Sequence, residues 1–159
     1  MKHFRKNLII WLFEKSQNFY VTYFKKNQTA WSVTKTELIK YPNDTFGYHL
    51  GVFLKKNNFE LIPKIERHDC YHVITGYETK VEDEIALQYL CFGNGKRSIY
   101  LFGVILLGTI LLPDYFTYYL KSYKIGKNAN HFYDFDYSKL LQTNIGTLRA
   151  SIFINLTYA

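Results

Sequence analysis

Apolar side chains recur along most of this chain at intervals of three and four residues, the spacing of one face of an α-helix. The first such stretch runs from about Leu8 to Phe24, with Trp11, Glu14/Lys15 and Tyr20 marking two faces. A lysine- and threonine-rich connection follows, carrying a short helix around Thr36 to Lys40. Tyr41-Pro-Asn-Asp-Thr-Phe-Gly reads as a turn, and Thr45 caps a helix built on Phe46, Leu50, Phe53 and Leu54 that ends at Asn57-Asn58. The next helix spans Pro63 to Thr75. Proline is tolerated in its first turn, and Gly76 closes it. Thr79-Lys-Val-Glu82 forms a capping box for a helix from Lys80 to Phe92, which stops at Gly93-Asn-Gly95. An apolar helix from Ser98 to Leu112 and an aromatic one from Tyr115 to about Lys124 come next, separated by Pro113. A further stretch around His131 to Leu141 precedes a terminal helix capped by Thr143 and holding Leu148 and Ile152, after which Phe153 to Ala159 fray or briefly extend. No period-two strand survives. The expected fold is all-α, a single-domain helical bundle of about six to seven helices over residues 1–159.

Polar residues inside this pattern carry the chemistry. His68, Asp69 and His72 stand as His-Asp-Cys-Tyr-His, so their side chains share a sector of roughly 100° on one helix. Glu84 lies on the following helix at the spacing of Val81, Ile85 and Phe92, with Gln88 and Cys91 in step. It therefore points inward, while Glu82 and Asp83 can face water. A buried unpaired carboxylate costs several kcal/mol or shifts its pKa, so it calls for a cation. Two imidazoles and two carboxylates from adjacent helices suit a divalent metal bound by His68, Asp69, His72 and Glu84. The residues alone leave a second reading open: a buried His–Glu ion pair, with the other His and Asp solvated.

Composition narrows the picture. Apolar residues make up 48% of the chain and aromatics 19%, which excludes a disordered chain and points to an aromatic-rich interior or a lipid-facing surface. The net charge is +7, but sixteen of the twenty basic residues are scattered lysines. That pattern favours an anionic membrane surface and argues against nucleic acid. Cys70 and Cys91 form no disulfide framework and suit a reducing compartment. Cys70 lies on the far side of its helix from His68, whereas Cys91 shares the Glu84 face and could line the same pocket. The apolar run Leu8–Phe13 is too short for a secretion signal, and Ile99–Leu112 falls short of the ~20 residues that span a bilayer. The expectation is a cytoplasmic protein associated peripherally with the inner face of the membrane.

The signature His68-Asp69-Cys-Tyr-His72, eleven intervening residues and Glu84 resembles that of the fourth Coq protein family of coenzyme Q (ubiquinone) biosynthesis, in a divergent bacterial-type form. Tyr41-Pro-Asn-Asp-Thr-Phe-Gly-Tyr is similar to the family's entry into Thr-Phe-Gly, and His72-Val-Ile-Thr-Gly76 to its His-x-Leu-x-Gly. Glu84-Ile-Ala-Leu-Gln-Tyr89, Gly126-Lys-Asn-Ala129 and Thr143 to Arg149 echo further family motifs, so that the likeness covers residues 41–152. The chain departs from the pattern at Gln88, where the family usually has lysine, and in Phe92-Gly-Asn-Gly-Lys-Arg97. Only Lys127 remains of a basic pair.

The resemblance implies a helical protein with a hydrophobic channel for a polyprenyl chain and a divalent metal, zinc by preference, held by the signature residues. It further implies a role in quinone assembly at the membrane, either as organiser of other quinone-biosynthesis enzymes or in removal of a ring carboxyl. Asp69 or Glu84 would then be the catalytic proton acceptor, and a homodimer is compatible with either role. The readings to be separated are a metal-dependent enzyme acting on a prenylated quinone precursor, a non-catalytic lipid-binding scaffold, and a metal-dependent phosphohydrolase. The last normally draws further His and Asp ligands from distant helices, and the only other histidines in the sequence are His3, His49 and His131.

Overall fold

The computed structural model describes residues 4–12, 31–62 and 66–154. Eight α-helical segments are found among these residues: α1 (4–12), α2 (Lys35–Leu38), α3 (Phe46–Lys56), α4 (Glu66–Thr75), α5 (Val81–Gly93), α6 (Ile99–Leu111), α7 (Phe116–Asn128) and α8 (Ile145–Phe153). Short 3-10 turns occupy Pro113–Tyr115 and Tyr137–Leu140. No strand occurs among the described residues, and one isolated antiparallel bridge joins Thr45 to Asn144. The expected continuation of the first helix beyond residue 12, the Pro63 start of the motif helix and the last five residues lie outside the described residues.

Helix α5 is the axis of the fold. One apolar cluster gathers α3, α4 and α8 against its Leu87, Leu90 and Cys91. A second gathers Ile9, Val104, Leu112 and Tyr119 against its Val81, Ile85, Ala86 and Tyr89. A helix apolar on nearly all sides has to be central, and α5 is. Its crossing with α7 brings backbone against backbone. A Cβ on Gly126 would lie 1.9 Å from the Leu90 carbonyl oxygen, and one on Gly93 would lie 2.2 Å from that of Tyr123. On the side of α3, Phe46, Leu50 and Leu54 are fully buried, each removal from water contributing about 1.5–3 kcal/mol.

Several local expectations hold and others do not. Thr45 caps α3 by accepting from the Tyr48 N–H at 3.3 Å, and Gly76 follows α4 at φ 79°. Thr79 does not cap α5. Lys80 is the cap residue without a side-chain bond, because the Thr79 hydroxyl turns to Asn57 Oδ1 at 3.4 Å. Asn144 replaces Thr143 as the cap of α8, accepting from Thr147 N–H, while the Thr143 carbonyl is taken by the Phe46 N–H. The stretch from His131 to Leu141 forms no α-helix, only the 3-10 turn. Asn94 Oδ1 accepts from the Phe132 and Tyr133 N–H groups at 2.9 and 3.1 Å, and the Tyr137 and Tyr71 hydroxyls donate to the Phe132 and Tyr133 carbonyls. Tyrosine hydroxyls thus hold the two carbonyls a helix would have paired with its own N–H groups.

Candidate metal centre

His68 and His72 stand one turn apart on α4, and Glu84 reaches them from the first turn of α5. The turn at Gly76 brings the two helices into this relation. His68 Nε2 lies 3.2 Å from His72 Nε2 and 3.0 Å from Glu84 Oε2, and His72 Nε2 lies 3.2 Å from Glu84 Oε1. One ligand atom from each of the three residues falls within 4.8 Å of the others. Ligands about 2.0–2.1 Å from a tetrahedral ion are separated by roughly 3.3 Å, so these spacings match one shared cation. The His72 ring is held on two further sides. Its Nδ1 is 3.0 Å from the Tyr77 carbonyl oxygen, and Phe53 of α3 stacks on it at 5.3 Å between centroids and 15° between planes. Donation from Nδ1–H to that carbonyl leaves the Nε2 lone pair facing the cluster, the tautomer a metal ligand needs. The residues present fit a divalent metal.

Electrostatics agree with three mutually dependent groups. Burial works against ionisation of Glu84, but the charges of and hydrogen bonds from His68 and His72 outweigh it and hold the carboxyl well below its ordinary range. Burial also opposes a charged His72. The Glu84 hydrogen bond and charge, with the Tyr77 carbonyl and Asp69 behind them, overcome it and raise the pKa. Asp69 stands apart from the trio. Burial pushes its carboxyl up to about 6, against the pull of the His68 and His72 charges. It makes no hydrogen bond or ion pair among the described residues.

The cluster opens onto a cavity of about 740 Å³, within the range of small-molecule sites. Its walls include Asp69, Tyr71 and Arg67 of α4, Gln88 of α5, and apolar Ile10, Phe59, Ile62, Val81 and Val104.

The family Coenzyme Q (ubiquinone) biosynthesis protein Coq4 matches residues 61–157, more than half of the chain, including His68, Asp69, His72 and Glu84. The chain belongs to that family. A crystal structure from Nostoc punctiforme PCC 73102, of a protein assigned by name to ubiquinone biosynthesis, has a similar fold. It superposes with a TM-score of 0.67 at 20% identity, covering 83% of this chain and 73% of that one. No curated protein matches the chain.

The four residues singled out in the sequence are thus spatially divided. His68, His72 and Glu84 converge, whereas Asp69 lines the cavity beside them. Cys91 does not line it; the thiol is fully buried in the core that holds Tyr71 and Tyr137. Glu82 and Asp83 do not face open water either. Glu82 pairs with Lys6 at 2.7 Å and accepts from Tyr115, and Asp83 accepts from Tyr118 at 2.7 Å, because α1 and α7 cover that side of α5. Sequence reasoning missed Phe53 and Tyr77 as supports of His72. Phe53 was visible only as one more apolar position of α3, and a backbone carbonyl leaves no residue signal at all.

Proposed function

We propose that the cavity binds a prenylated aromatic precursor of ubiquinone, with a divalent cation, most simply zinc, held by His68, His72 and Glu84 beside the polar ring. One observation carries this reading: a polar metal-ligating face and apolar walls share a single cavity. Family membership supplies the pathway. When bound, the cation would supply positive charge to polarise or orient an oxygen of the ring.

The remaining chemistry falls to the chain. Glu84 is held ionised and Phe53 fixes the His72 ring. Asp69, with its pKa near 6, is suited to exchange a proton at neutral pH or to complete the ligand set. In the enzymatic reading the site acts on the ring carboxyl. The scaffold reading, in which the lipid is presented to other quinone-biosynthesis enzymes, is favoured by the outward apolar residues of α6. A phosphohydrolase needs further ligands, and neither His49 nor His131 lines the cavity; His131 pairs with Asp134.

Tail-shortened precursor analogues should bind about fourfold more weakly for each methylene withdrawn from burial, from ~0.8 kcal/mol per CH₂. Calorimetric titration measures this. Asp69→Ala should leave affinity within about twofold and abolish turnover; restoration of quinone synthesis by this variant at the wild-type level would leave only the scaffold reading. Failure of every prenylated precursor and quinone to bind would remove both.

The same proposal sets the protein peripherally on the inner face of the cytoplasmic membrane. Ile99, Phe102, Leu106, Leu107 and Ile110 of α6 are exposed, and the chain carries a net charge of +7. No single helix among the described residues is long and apolar enough to cross a membrane. Vesicle flotation should show binding that strengthens with anionic lipid and weakens with salt. Binding that survives both salt and alkaline extraction would contradict a peripheral attachment.

A further inference from the structure

Three features outside the His–His–Glu trio share the wall of the cavity. Lys96, in the turn between α5 and α6, places Nζ 4.9 Å over the Tyr71 ring, whose edge-on neighbour at 6.4 Å is His68. Arg67 precedes His68 and lines the same space. Burial holds the Lys96 pKa below its ordinary value, and the Arg67 charge pushes the same way. Among the described residues neither cation has a carboxylate partner. Of the acids on the wall, Glu60 pairs with Lys35, Glu84 pairs with the two histidines, and Asp69 faces the charges of His68 and His72. The third feature is Gln88, only 4% exposed, whose Oε1 is buried on this cavity without a hydrogen-bond partner among the described residues. Two like charges on one cavity wall repel until an anion joins them, and a buried amide oxygen calls for a donor.

We propose that Lys96 and Arg67 form an anion subsite that takes the carboxylate or phosphate oxygens of the bound amphiphile, with Gln88 Oε1 accepting from a hydroxyl on the same head group. The proposal deepens the reading above, because the ligand must share the cavity with the metal-ligating trio. The buried Tyr71 ring meets the Lys96 nitrogen on its face and His68 edge-on. A head group bound in the cavity that all three line can therefore set its acid on the cations and its other edge toward the trio. The acid is then bound by side chains and the metal face is left to the rest of the head group.

The test is calorimetric titration of the full chain with four probes: a benzoic acid carrying a prenyl tail, its methyl ester, a monophosphate on the same tail, and inorganic phosphate. Wild type should bind at least one tailed anion at least tenfold more tightly than the ester, and the tighter of acid and phosphate identifies the head group. Lys96→Gln and Arg67→Gln should bring that anion to the affinity of the ester while leaving the ester unchanged, and Lys96→Arg should retain most of the preference. The melting temperature of Lys96→Gln should not fall, since a cation lacking a counter-ion is removed. Equal binding of acid, phosphate and ester by wild type, or weakening of all tailed probes alike by Lys96→Gln with a lowered melting temperature, would overturn the subsite and leave the lipid site standing. Inorganic phosphate binding as tightly as the tailed phosphate would overturn the amphiphile as its ligand. Binding of no tailed probe would overturn the lipid site as well.

Discussion

Glu84→Ala and His72→Ala proteins, purified beside wild type, should each retain less than about a tenth of the divalent metal that wild type carries at close to one ion per chain. Three donors meet at 3.0–3.2 Å, and withdrawing one from a set of three leaves too few protein ligands to compete with water. Elemental analysis measures the loss; undiminished metal in both variants would exclude the site. The pH dependence of stability adds a check with opposite signs. In chelated protein, His72 has a pKa raised by Glu84 against the effect of burial. Its stabilisation is complete below the unfolded-state value near 6.5 and is lost as pH rises through the higher folded value. Glu84, whose pKa is lowered, contributes above the ordinary carboxylate value and loses that contribution only in strong acid. The stability Asp69 lends in its protonated form is gone once the pH passes about 6. Chelated protein should therefore lose melting temperature as the pH rises above about 6.5. Zinc-supplemented protein should gain over the same interval, because the metal competes with protons for the histidines. Parallel curves for the two forms would mean that no metal binds there.

Gly126→Ala should destabilise the protein by at least about 3 kcal/mol, at the upper end of overpacking effects. For a chain of this size that is a fall of roughly 6–12 °C in melting temperature. The added methyl group would sit 1.9 Å from the Leu90 carbonyl oxygen, and that oxygen belongs to backbone, which cannot rotate away as a side chain can. Relief requires α7 to back off from α5. That would strain the Asn94 bridge, whose side-chain N–H groups donate to the Gly126 and Asn130 carbonyls, both at 3.1 Å. Thermal unfolding measures the effect. The comparison is Gly103→Ala on α6, where an added Cβ meets nothing within 4 Å and where alanine is the better helix former. Equal melting temperatures for Gly126→Ala and wild type would show that the α5–α7 crossing is not backbone-tight.

Much of the site is written in local periodicity. His68 and His72 share a face because four residues carry a helix just past one full turn, and Glu84 points inward because Val81 and Ile85 flank it on the same helix. Both consequences follow from a 3.6-residue repeat and need no knowledge of neighbours. The all-α class and the Thr45 cap of α3 belong to the same kind of information, since each depends on residues within a few positions.

What the tertiary structure decided are the matters set by how helices cross and which groups compete for one partner. Asp69 has the same helical credentials as the histidines, yet the approach of α5 brings Glu84 to the imidazoles and leaves Asp69 beside them. Thr79 had the composition of a cap, but its hydroxyl is engaged by Asn57, twenty-two residues earlier. The stretch after Ala129 had helical spacing, but the Tyr137 and Tyr71 hydroxyls donate to the Phe132 and Tyr133 carbonyls that a helix would have given to its own N–H groups. Glu82 and Asp83 were polar positions assigned to water until α1 and α7 supplied Lys6 and Tyr118. Lys96, from the turn after α5, arrives above Tyr71 of α4 for the same reason. A helical repeat states which residues share a face, whereas the neighbour that face meets depends on contacts distant in sequence, and those become definite only when the helices pack.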